Sequence, residues 1–195
     1  NGLFSSNPVK TLSNGTTTTI FTGTVAGEIT VTASGDGLIS GLTKIQVLSS
    51  TKPVGIAVKT STIVYTDEMA VFTVNSIDRY NNIVDVSGKS VKLSYINKPE
   101  LSDVIVSTES NLIKGEVYFR HSYKVSGAYE IKFETLESSI TAKIIVVLNK
   151  SKENIITGET GYGKIKLSIA KNVMAKDVII EIKKNEVMQN LKMSN

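Results

Sequence analysis

Two stretches of this chain that lie one hundred residues apart carry the same apolar pattern. Residues 27–33 (GEITVTA) and 127–133 (GAYEIKF) both begin with glycine and then place apolar side chains at alternate positions. With the same offset and no gap, residues 45–48 (IQVL) fall on 145–148 (IVVL). Two separated matches in one register predict a repeated unit of about 100 residues, the size of an immunoglobulin-type sandwich.

Alternation with a period of two dominates the rest of the chain. Side chains of a β-strand point to opposite faces in turn, so such runs suit a sheet that has one face on a core and the other in water. Turn-forming pairs such as Asn14-Gly15, Asn81-Asn82 and Ser87-Gly88 separate the runs. The pattern therefore predicts an all-β protein.

The repeat divides the chain into three parts. Residues 1–50 are predicted to be the C-terminal half of an immunoglobulin-like module, 51–150 a complete module, and 151–195 the N-terminal part of a further β module. Nine of the twelve aromatic residues lie in 51–150, which favours a whole core there. The predicted fold class is a tandem of immunoglobulin-like Greek-key β-sandwiches, one complete and flanked by partial ones. The complete module is predicted to hold seven strands, at 54–60, 69–78, 89–95, 104–108, 112–123, 128–135 and 139–148.

The last forty-five residues carry two further strand patterns. Ile165, Leu167 and Ile169 predict one strand, and Val178, Ile180 and Ile182 predict another. Residues 187–193 are compatible with a short terminal helix.

A half sandwich leaves an apolar face and strand edges without partners, which costs stability and favours association. Three arrangements satisfy this requirement. The chain is a piece of a longer array, or the missing strands come from another chain by strand addition, or the two partial segments complete each other within one chain. The sequence favours the first arrangement and leaves the other two open.

Composition excludes several classes of site and partner. There is no cysteine, so the chain has no disulfide, zinc-thiolate site or thiol nucleophile, and a single histidine excludes a multi-histidine metal site. No run approaches the roughly 18 apolar residues of a membrane span, so direct membrane insertion is not expected. The net charge is +4, but the basic residues are interspersed with acidic ones and form no polybasic arm, which argues against a nucleic-acid partner.

Catalysis is not expected. His121, between Arg120 and Tyr123 in sequence, is the only candidate general base, and no Gly-x-Ser-x-Gly context accompanies it. We interpret it as an exposed histidine at the end of a strand. Paired acids are present, but the absence of tryptophan disfavours a sugar-cleaving cleft.

No cofactor is expected; calcium is the one exception for which the sequence supplies candidate ligands. Hard cations prefer six to eight oxygen ligands, and turns rich in acids and asparagine supply them. The alternative is that Asp78 and Asn82 bond the backbone of their own turn. The candidate ligands are Asp67, Glu68, Asp78, Asn81, Asn82 and Asp85.

Residues 70–84, an alternating strand followed by an aspartate turn, resemble the bacterial immunoglobulin-like group 1 family, the modules of invasin and intimin type. That family has an Asp-x-x-Gly-Asn turn, then an apolar pair and a second strand. The positions that match are Asp78, Asn82 and Val84. Asn81 replaces the usual Gly and Ile83 replaces a common Pro. Asparagine also tolerates positive φ, so the turn is still expected.

The resemblance covers about residues 8–148, and 151–195 show no such match. It implies tandem extracellular modules of adhesins, surface-layer proteins and secreted enzymes, and it implies no catalytic residue. We therefore expect a non-catalytic structural segment of a bacterial cell-surface protein, of surface-layer or surface-filament type, whose modules act as spacers and assembly tiles. Its expected location is extracellular, at the cell surface or cell wall. Its expected partners are copies of itself or neighbouring immunoglobulin-like domains.

The alternative function is a binding module, either an adhesin stalk or a carbohydrate-binding accessory module of a secreted enzyme. A shallow strip of aromatic side chains on one sheet face would favour it, with a glycan as partner. The tyrosines available for such a strip are Tyr80, Tyr95, Tyr118 and Tyr123.

Overall fold

The computed structural model of the protein describes residues 2–5, 7, 9, 14–100, 102, 104, 107–160 and 163–180. These residues form β-strands and no helix, as the alternating sequence predicts. None of them belongs to a helix with the length and hydrophobicity that crossing a membrane requires. The strands are β1 (Gly2–Phe4), β2 (Phe21–Gly23), β3 (Gly27–Ala33), β4 (Gly41–Val47), β5 (Gly55–Lys59), β6 (Ile63–Tyr65), β7 (Met69–Ile77), β8 (Ser90–Asn97), β9 (Ser107–Asn111), β10 (Glu116–Ser122), β11 (Gly127–Glu134), β12 (Ser139–Val147), β13 (Asn154–Thr160) and β14 (Gly163–Ile169).

Residues 51–150, which we call the middle module, fold as two sheets around one core. One sheet has the strand order β10-β7-β5 and the other β6-β12-β11-β8-β9. Phe133 of β11 joins them, because its ring centroid lies 5.5 Å from that of Phe72 on β7 and 5.7 Å from that of Phe119 on β10. All three rings are buried. The middle module is therefore a two-layer β-sandwich with a closed core.

The described residues of the middle module form eight strands rather than the predicted seven. The additional strand is β6, which is three residues long and pairs in parallel with β12. The strand predicted at 112–123 begins only at Glu116, because Lys114 and Gly115 turn the chain with φ of 51° and 81°. Of the strand predicted at 104–108, only Ser107 and Thr108 lie in β9; Val104 is in no strand, and Ile105 and Val106 lie outside the described residues.

The first segment, residues 2–50, holds two separate antiparallel pairs, β1 with β2 and β3 with β4. Its described residues include no fully buried hydrophobic side chain, whereas the middle module has many. Leu3, Ile20, Leu42 and Leu48 are each at least 70% exposed. The first segment thus has ordered strand pairs without a closed core.

The hairpins β3–β4 and β11–β12 differ in register by one residue. Gly27 pairs with Val47, whereas Gly127 pairs with Val146 and not with Val147 as a constant offset of 100 would require. The connection between the strands is one residue shorter in the second hairpin. Seven residues, 34–40, lie between the paired Ala33 and Gly41, whereas six residues, 134–139, lie between the paired Phe133 and Ile140. A shift of one residue exchanges the two faces of a strand, so Ile145 is 43% exposed.

Beyond the middle module, β13 and β14 form an antiparallel pair, and Ile165, Leu167 and Ile169 lie in β14 as predicted. The strand predicted around Val178 and Ile180 is wrong for the residues that the structure describes. Val178 and Ile180 make single hydrogen bonds to Leu148 and Ser126 of the middle module rather than the regular backbone ladder of a β-strand. Ile182 and residues 187–193 lie outside the described residues.

Candidate functional site

The turn after β7 is organised around the carboxylate of Asp78, whose residue is only 3% exposed. Oδ1 accepts hydrogen bonds from the backbone N–H groups of Tyr80 at 2.8 Å and Asn82 at 3.0 Å. Asn81 has a φ of 65°, so it supplies the left-handed conformation for which glycine is the usual residue. The turn predicted from Asp78 and Asn82 is therefore present.

The environment of Asp78 keeps its carboxylate charged. Burial alone raises the pKa of Asp78, but hydrogen bonds from the side chain and backbone of Asn82, and from the backbones of Ser50 and Tyr80, outweigh it and lower the pKa from 3.8 to about 2. These donors stabilise the anion specifically, because a protonated carboxyl accepts fewer of them. The charge of Asp78 thus holds the turn together.

The same turn also binds the first segment. The side chain of Asn82 accepts a hydrogen bond from the backbone N–H of Ala26 at 2.8 Å and donates one to the backbone oxygen of Thr24 at 3.1 Å. The backbone N–H of Ser50 donates to Oδ2 of Asp78 at 3.2 Å. We call these five residues the first junction. Through it, Asp78 and Asn82 bind the first segment immediately before β3 and shortly after β4.

A second junction lies where residues 177–180 contact the middle module. The backbone N–H of Leu148 donates to the oxygen of Val178 at 2.9 Å. The hydroxyl of Ser126 donates to the oxygen of Ile180 at 2.8 Å and accepts from its N–H at 3.0 Å. Ser126 precedes Gly127 as Ala26 precedes Gly27, so both junctions use the residue before a glycine with positive φ.

Buried polar side chains connect β13 to the middle module at this end. Asn154 accepts a hydrogen bond from the hydroxyl of Thr66 at 3.0 Å and donates to the backbone oxygen of Asn149 at 2.8 Å. The amide of Asn149 donates to Glu68 at 3.0 Å. Both asparagines are less than 9% exposed, so their side-chain amides are shielded from solvent. Hydrogen bonds in such surroundings strongly constrain how β13 is placed against the middle module. Sequence reasoning missed this cluster.

The six candidate calcium ligands do not form one site. Asp67 and Glu68 precede β7, whereas Asp78, Asn81, Asn82 and Asp85 follow it. A nine-residue strand separates the two groups by about 30 Å. Within the part of the chain that the structure describes, no three acidic or histidine side chains lie close enough to hold a metal ion together.

His121 lies at the end of β10, as expected, but it is partly buried rather than exposed. It lies on β10 on the inward side, with Phe119, and its Nδ1 is 3.1 Å from the hydroxyl of Tyr95. Burial lowers the pKa of His121 below its ordinary value of 6.5. The Tyr95 hydroxyl is also 3.0 Å from that of Tyr123. The histidine is therefore part of a polar aromatic cluster inside the sandwich.

The four tyrosines considered for a glycan-binding strip do not share a face. Tyr123 is fully buried and Tyr95 is partly buried in the interior. Tyr118 is 51% exposed on the outer face of β10, and Tyr80 lies in the turn of the first junction under the guanidinium of Arg79. These four tyrosines therefore do not form the strip that would favour a carbohydrate-binding module.

A cavity of about 380 Å³ opens at the first junction, between Gly23 and Val47 on one side and Asp78 and Tyr80 on the other. The oxygens of Asp78 are already engaged by backbone and amide donors. His121, the chain's only imidazole, does not line this cavity. The site therefore brings together hydrogen-bonding groups that join two segments of the chain.

No protein-family model matches the chain, and no curated protein matches it. It is similar to solved structures of a glycosyl hydrolase family 2 member from Bacteroides cellulosilyticus (13% identity, TM-score 0.44) and a beta-glycosidase from Bacteroides vulgatus (13%, 0.41). The matches cover 66% and 68% of this chain but only 18% and 19% of those chains. Domains 4 and 5 of the S-layer protein SbsC match at 18% identity and a TM-score of 0.36, over 74% of this chain and 68% of that one.

Proposed function

We propose that the chain is a non-catalytic structural segment of a bacterial cell-surface protein, in which immunoglobulin-like sandwiches act as spacers and assembly tiles. The observation that carries this proposal is the first junction. Asn82 and Asp78 of the middle module bind backbone groups of the first segment on both sides of the hairpin β3–β4. When two successive units are joined by hydrogen bonds at several points, both the distance between them and their relative orientation are fixed.

The strand order of the middle module supports an immunoglobulin-like fold. Such sandwiches place strands A, B and E in one sheet and C, F and G in the other. Here β5, β7 and β10 share one sheet, and β8, β11 and β12 share the other. Tyr129, near the start of β11, donates its hydroxyl proton to the backbone oxygen of Val125 at 2.7 Å, which is the arrangement of a tyrosine corner.

The equivalence of the two junctions supports a tandem arrangement. Ala26 and Ser126 occupy equivalent places in the repeat, and each binds the segment that follows its own unit. The segment that is bound comprises residues 78–82 at the first junction and residues 178–180, one hundred residues later, at the second. A repeated connection at a constant interval produces a rod of regularly oriented units.

The extracellular location and the surface-layer instance of this proposal rest on the resemblance of the aspartate turn to group 1 modules. A chain without cysteine relies on core packing and β ladders for stability. The carbohydrate-binding alternative is less well supported, because Tyr95 and Tyr123 are occupied in the interior.

Pulsed electron spin resonance between two spin labels tests the proposal. Because the chain lacks cysteine, Thr32→Cys on β3 and Arg120→Cys on β10 provide unique attachment points on exposed positions. We expect a narrow distance distribution, which Asn82→Ala broadens by removing both hydrogen bonds to the first segment. Asn111→Ala, at an exposed position of β9, is the matched control. A broad distribution in the unsubstituted background contradicts the proposed spacer role.

Acid provides an independent check on the same labels. The pKa of Asp78 is lower in the folded protein than its ordinary 3.8, so its contribution to the first junction is complete above pH 3.8 and is lost as the pH falls towards 2. We expect the distribution to broaden over that window, and Asp78→Asn to remove the pH dependence. A chelator is expected to leave the distribution unchanged, since protein donors already occupy the carboxylate; a chelator effect would favour the calcium hypothesis.

A further inference from the structure

Two neighbouring strands of the middle module run in the same direction, close to where the chain enters and leaves it. The second strand of the module, β6, pairs in parallel with its last strand, β12. The other strand pairs among the described residues are antiparallel. The backbone N–H of Ile145 donates to the oxygen of Thr62 at 2.8 Å, and that of Thr66 donates to the oxygen of Val147 at 2.9 Å. Backbone hydrogen bonds thus join the beginning of the module directly to its end.

The chain enters and leaves the middle module at opposite ends of the sandwich. The backbone N–H of Val54, just before β5, donates at 2.8 Å to the oxygen of Ile77, the last residue of β7, beside the first junction. Asn149, just after β12, binds Glu68, which directly precedes β7. The nine residues of β7 hold these two places about 30 Å apart. Tension along the chain therefore pulls β6 at its N-terminal end and β12 at its C-terminal end, in opposite directions.

Pulling in these directions strains all hydrogen bonds of the β6–β12 ladder together. The hydrogen bonds of a sheet run across its strands, so sliding one strand along the other stretches every bond of the ladder at once. Separating the strands sideways from one end breaks the same bonds one after another. Sliding requires the larger force, because no bond yields before the others. The parallel ladder is therefore oriented to resist tension along the chain.

Buried polar side chains extend this ladder beyond the last residue of β12. The hydroxyl of Thr66 accepts a hydrogen bond from the backbone N–H of Asn149 at 3.1 Å and donates one to Asn154 of β13 at 3.0 Å. The amide of Asn154 donates to the backbone oxygen of Asn149 at 2.8 Å. We call these three residues, all of them buried, the latch. Because the latch is shielded from water, its hydrogen bonds are strong, and it holds the end of β6 to the point where the chain leaves the module.

We propose that the β6–β12 ladder and the latch form a load-bearing clamp, which keeps the middle module folded when the chain is pulled along its length. The clamp adds a mechanical function to the module, the transmission of tension between the first segment and residues 151–180. This inference rests on the proposed spacer role, because a spacer anchored on both sides is placed under tension. The load enters through β6 and leaves through Asn149 towards β13.

Single-molecule stretching of the full chain in two directions tests the clamp. The chain lacks cysteine, so introduced pairs of cysteines define where the handles attach. Thr51→Cys with Lys152→Cys pulls along the chain. Ser61→Cys with Lys143→Cys pulls sideways, since each lies two residues before the first β6–β12 pair; all four positions are exposed. At equal constant force, we expect the folded module to survive about tenfold longer or more in the first geometry, because several hydrogen bonds must break together.

Thr66→Val distinguishes a clamp from general stabilisation. The substitution preserves the shape of the side chain but removes the hydroxyl that binds Asn149 and Asn154. We expect it to shorten the lifetime under axial load about tenfold, because buried polar groups lose their partner before the ladder slides. The lifetime under sideways load is expected to stay nearly unchanged, because the ladder opens from the end opposite the latch. Thr141→Val, at an exposed position of β12, is the matched control and is expected to change neither lifetime.

A second variant, Asn154→Ala, removes two of the three hydrogen bonds of the latch and is also expected to shorten only the axial lifetime. Circular dichroism and the urea midpoint of the middle module verify that each variant folds. Equal lifetimes in the two directions overturn the inference, as do latch variants that shorten both lifetimes alike or neither. The spin-label distances are recorded without load, so a broad distribution contradicts the spacer role, whereas a narrow distribution with equal lifetimes contradicts the clamp alone.

Discussion

The hairpins β3–β4 and β11–β12 have similar backbones and very different surroundings. Both begin with a glycine of positive φ, 133° at Gly27 and 140° at Gly127, and both alternate apolar and polar residues. Ile131 and Phe133 are completely buried, whereas Val31 is partly buried and Ala33 is exposed. Identical local rules thus produce a core only where a second sheet lies opposite.

The comparison shows where the stability of the chain resides. Local pairing and turn geometry define the strands in both regions, but burial of apolar surface depends on partners distant in sequence. Phe133 has such partners in Phe72 and Phe119, on two different strands of the opposing sheet. The inward residues Ile29 and Val31 of β3 are only partly buried.

The largest expected effect comes from truncating an inward side chain of each hairpin. Phe133→Ala is expected to destabilise the middle module by about 3–5 kcal/mol, because it removes buried surface and leaves a cavity between the sheets. Val31→Ala is expected to leave the urea midpoint of the middle module unchanged. Urea unfolding followed by tyrosine fluorescence measures both. Equal effects of the two substitutions would contradict a core confined to the middle module.

The second largest effect on stability is expected when Gly27 or Gly127 is replaced by alanine. Alanine at a φ of 133° or 140° is strained whatever surrounds it, at a cost of about 1–3 kcal/mol. Gly127→Ala is expected to lower the urea midpoint of the middle module by a corresponding amount. Gly27→Ala carries the same strain, but it is expected to appear only as faster amide exchange in β3 and β4. A shift of the global midpoint by Gly27→Ala would show that the first segment unfolds together with the middle module.

The sequence predicts the sandwich well because alternation is clean on most of its strands. Val91, Leu93 and Tyr95 alternate inward on β8, and the same rule applied from Val117 and Phe119 would have placed His121 inside. The register of β12 was not predictable in this way. Its run of four apolar residues, 144–147, offers an apolar side chain to either face, so the length of the preceding connection decides.

The junctions were only partly predictable. Asp78 and Asn82 indicate a turn from sequence, but the partners of Asn82 outside that turn are the backbone groups of Thr24 and Ala26. Backbone donors and acceptors carry no residue signature, so no pattern identifies them. Nothing in the sequence singles out Asn149, yet its side-chain amide donates a hydrogen bond to Glu68 at 3.0 Å.

A smaller effect is expected from the single histidine, which lies in the middle module. Burial lowers the pKa of His121, so its neutral form is favoured by folding and its contribution is present above its ordinary pKa of 6.5. As the pH falls below that value, protonation favours the unfolded chain. The urea midpoint of the middle module is expected to fall between about pH 8 and about pH 5.5, and His121→Gln to abolish this change. Amide exchange in β3–β4, corrected for its intrinsic pH dependence, serves as the internal reference, since the first segment has no histidine.

The smallest effect is expected from the outward faces, where the two hairpins are alike. Lys44 lies 2.8 Å from Glu28 and Lys143 lies 3.6 Å from Glu130, with both lysine side chains more than 60% exposed. Exposed ion pairs of this kind contribute about 0.5 kcal/mol or less. Lys143→Gln is therefore expected to change the urea midpoint only marginally, and Lys44→Gln to leave amide exchange in β3–β4 nearly unchanged. Marked opening of β3–β4 in Lys44→Gln would mean that an outward ion pair, rather than the coverage of the inward face, distinguishes the two hairpins.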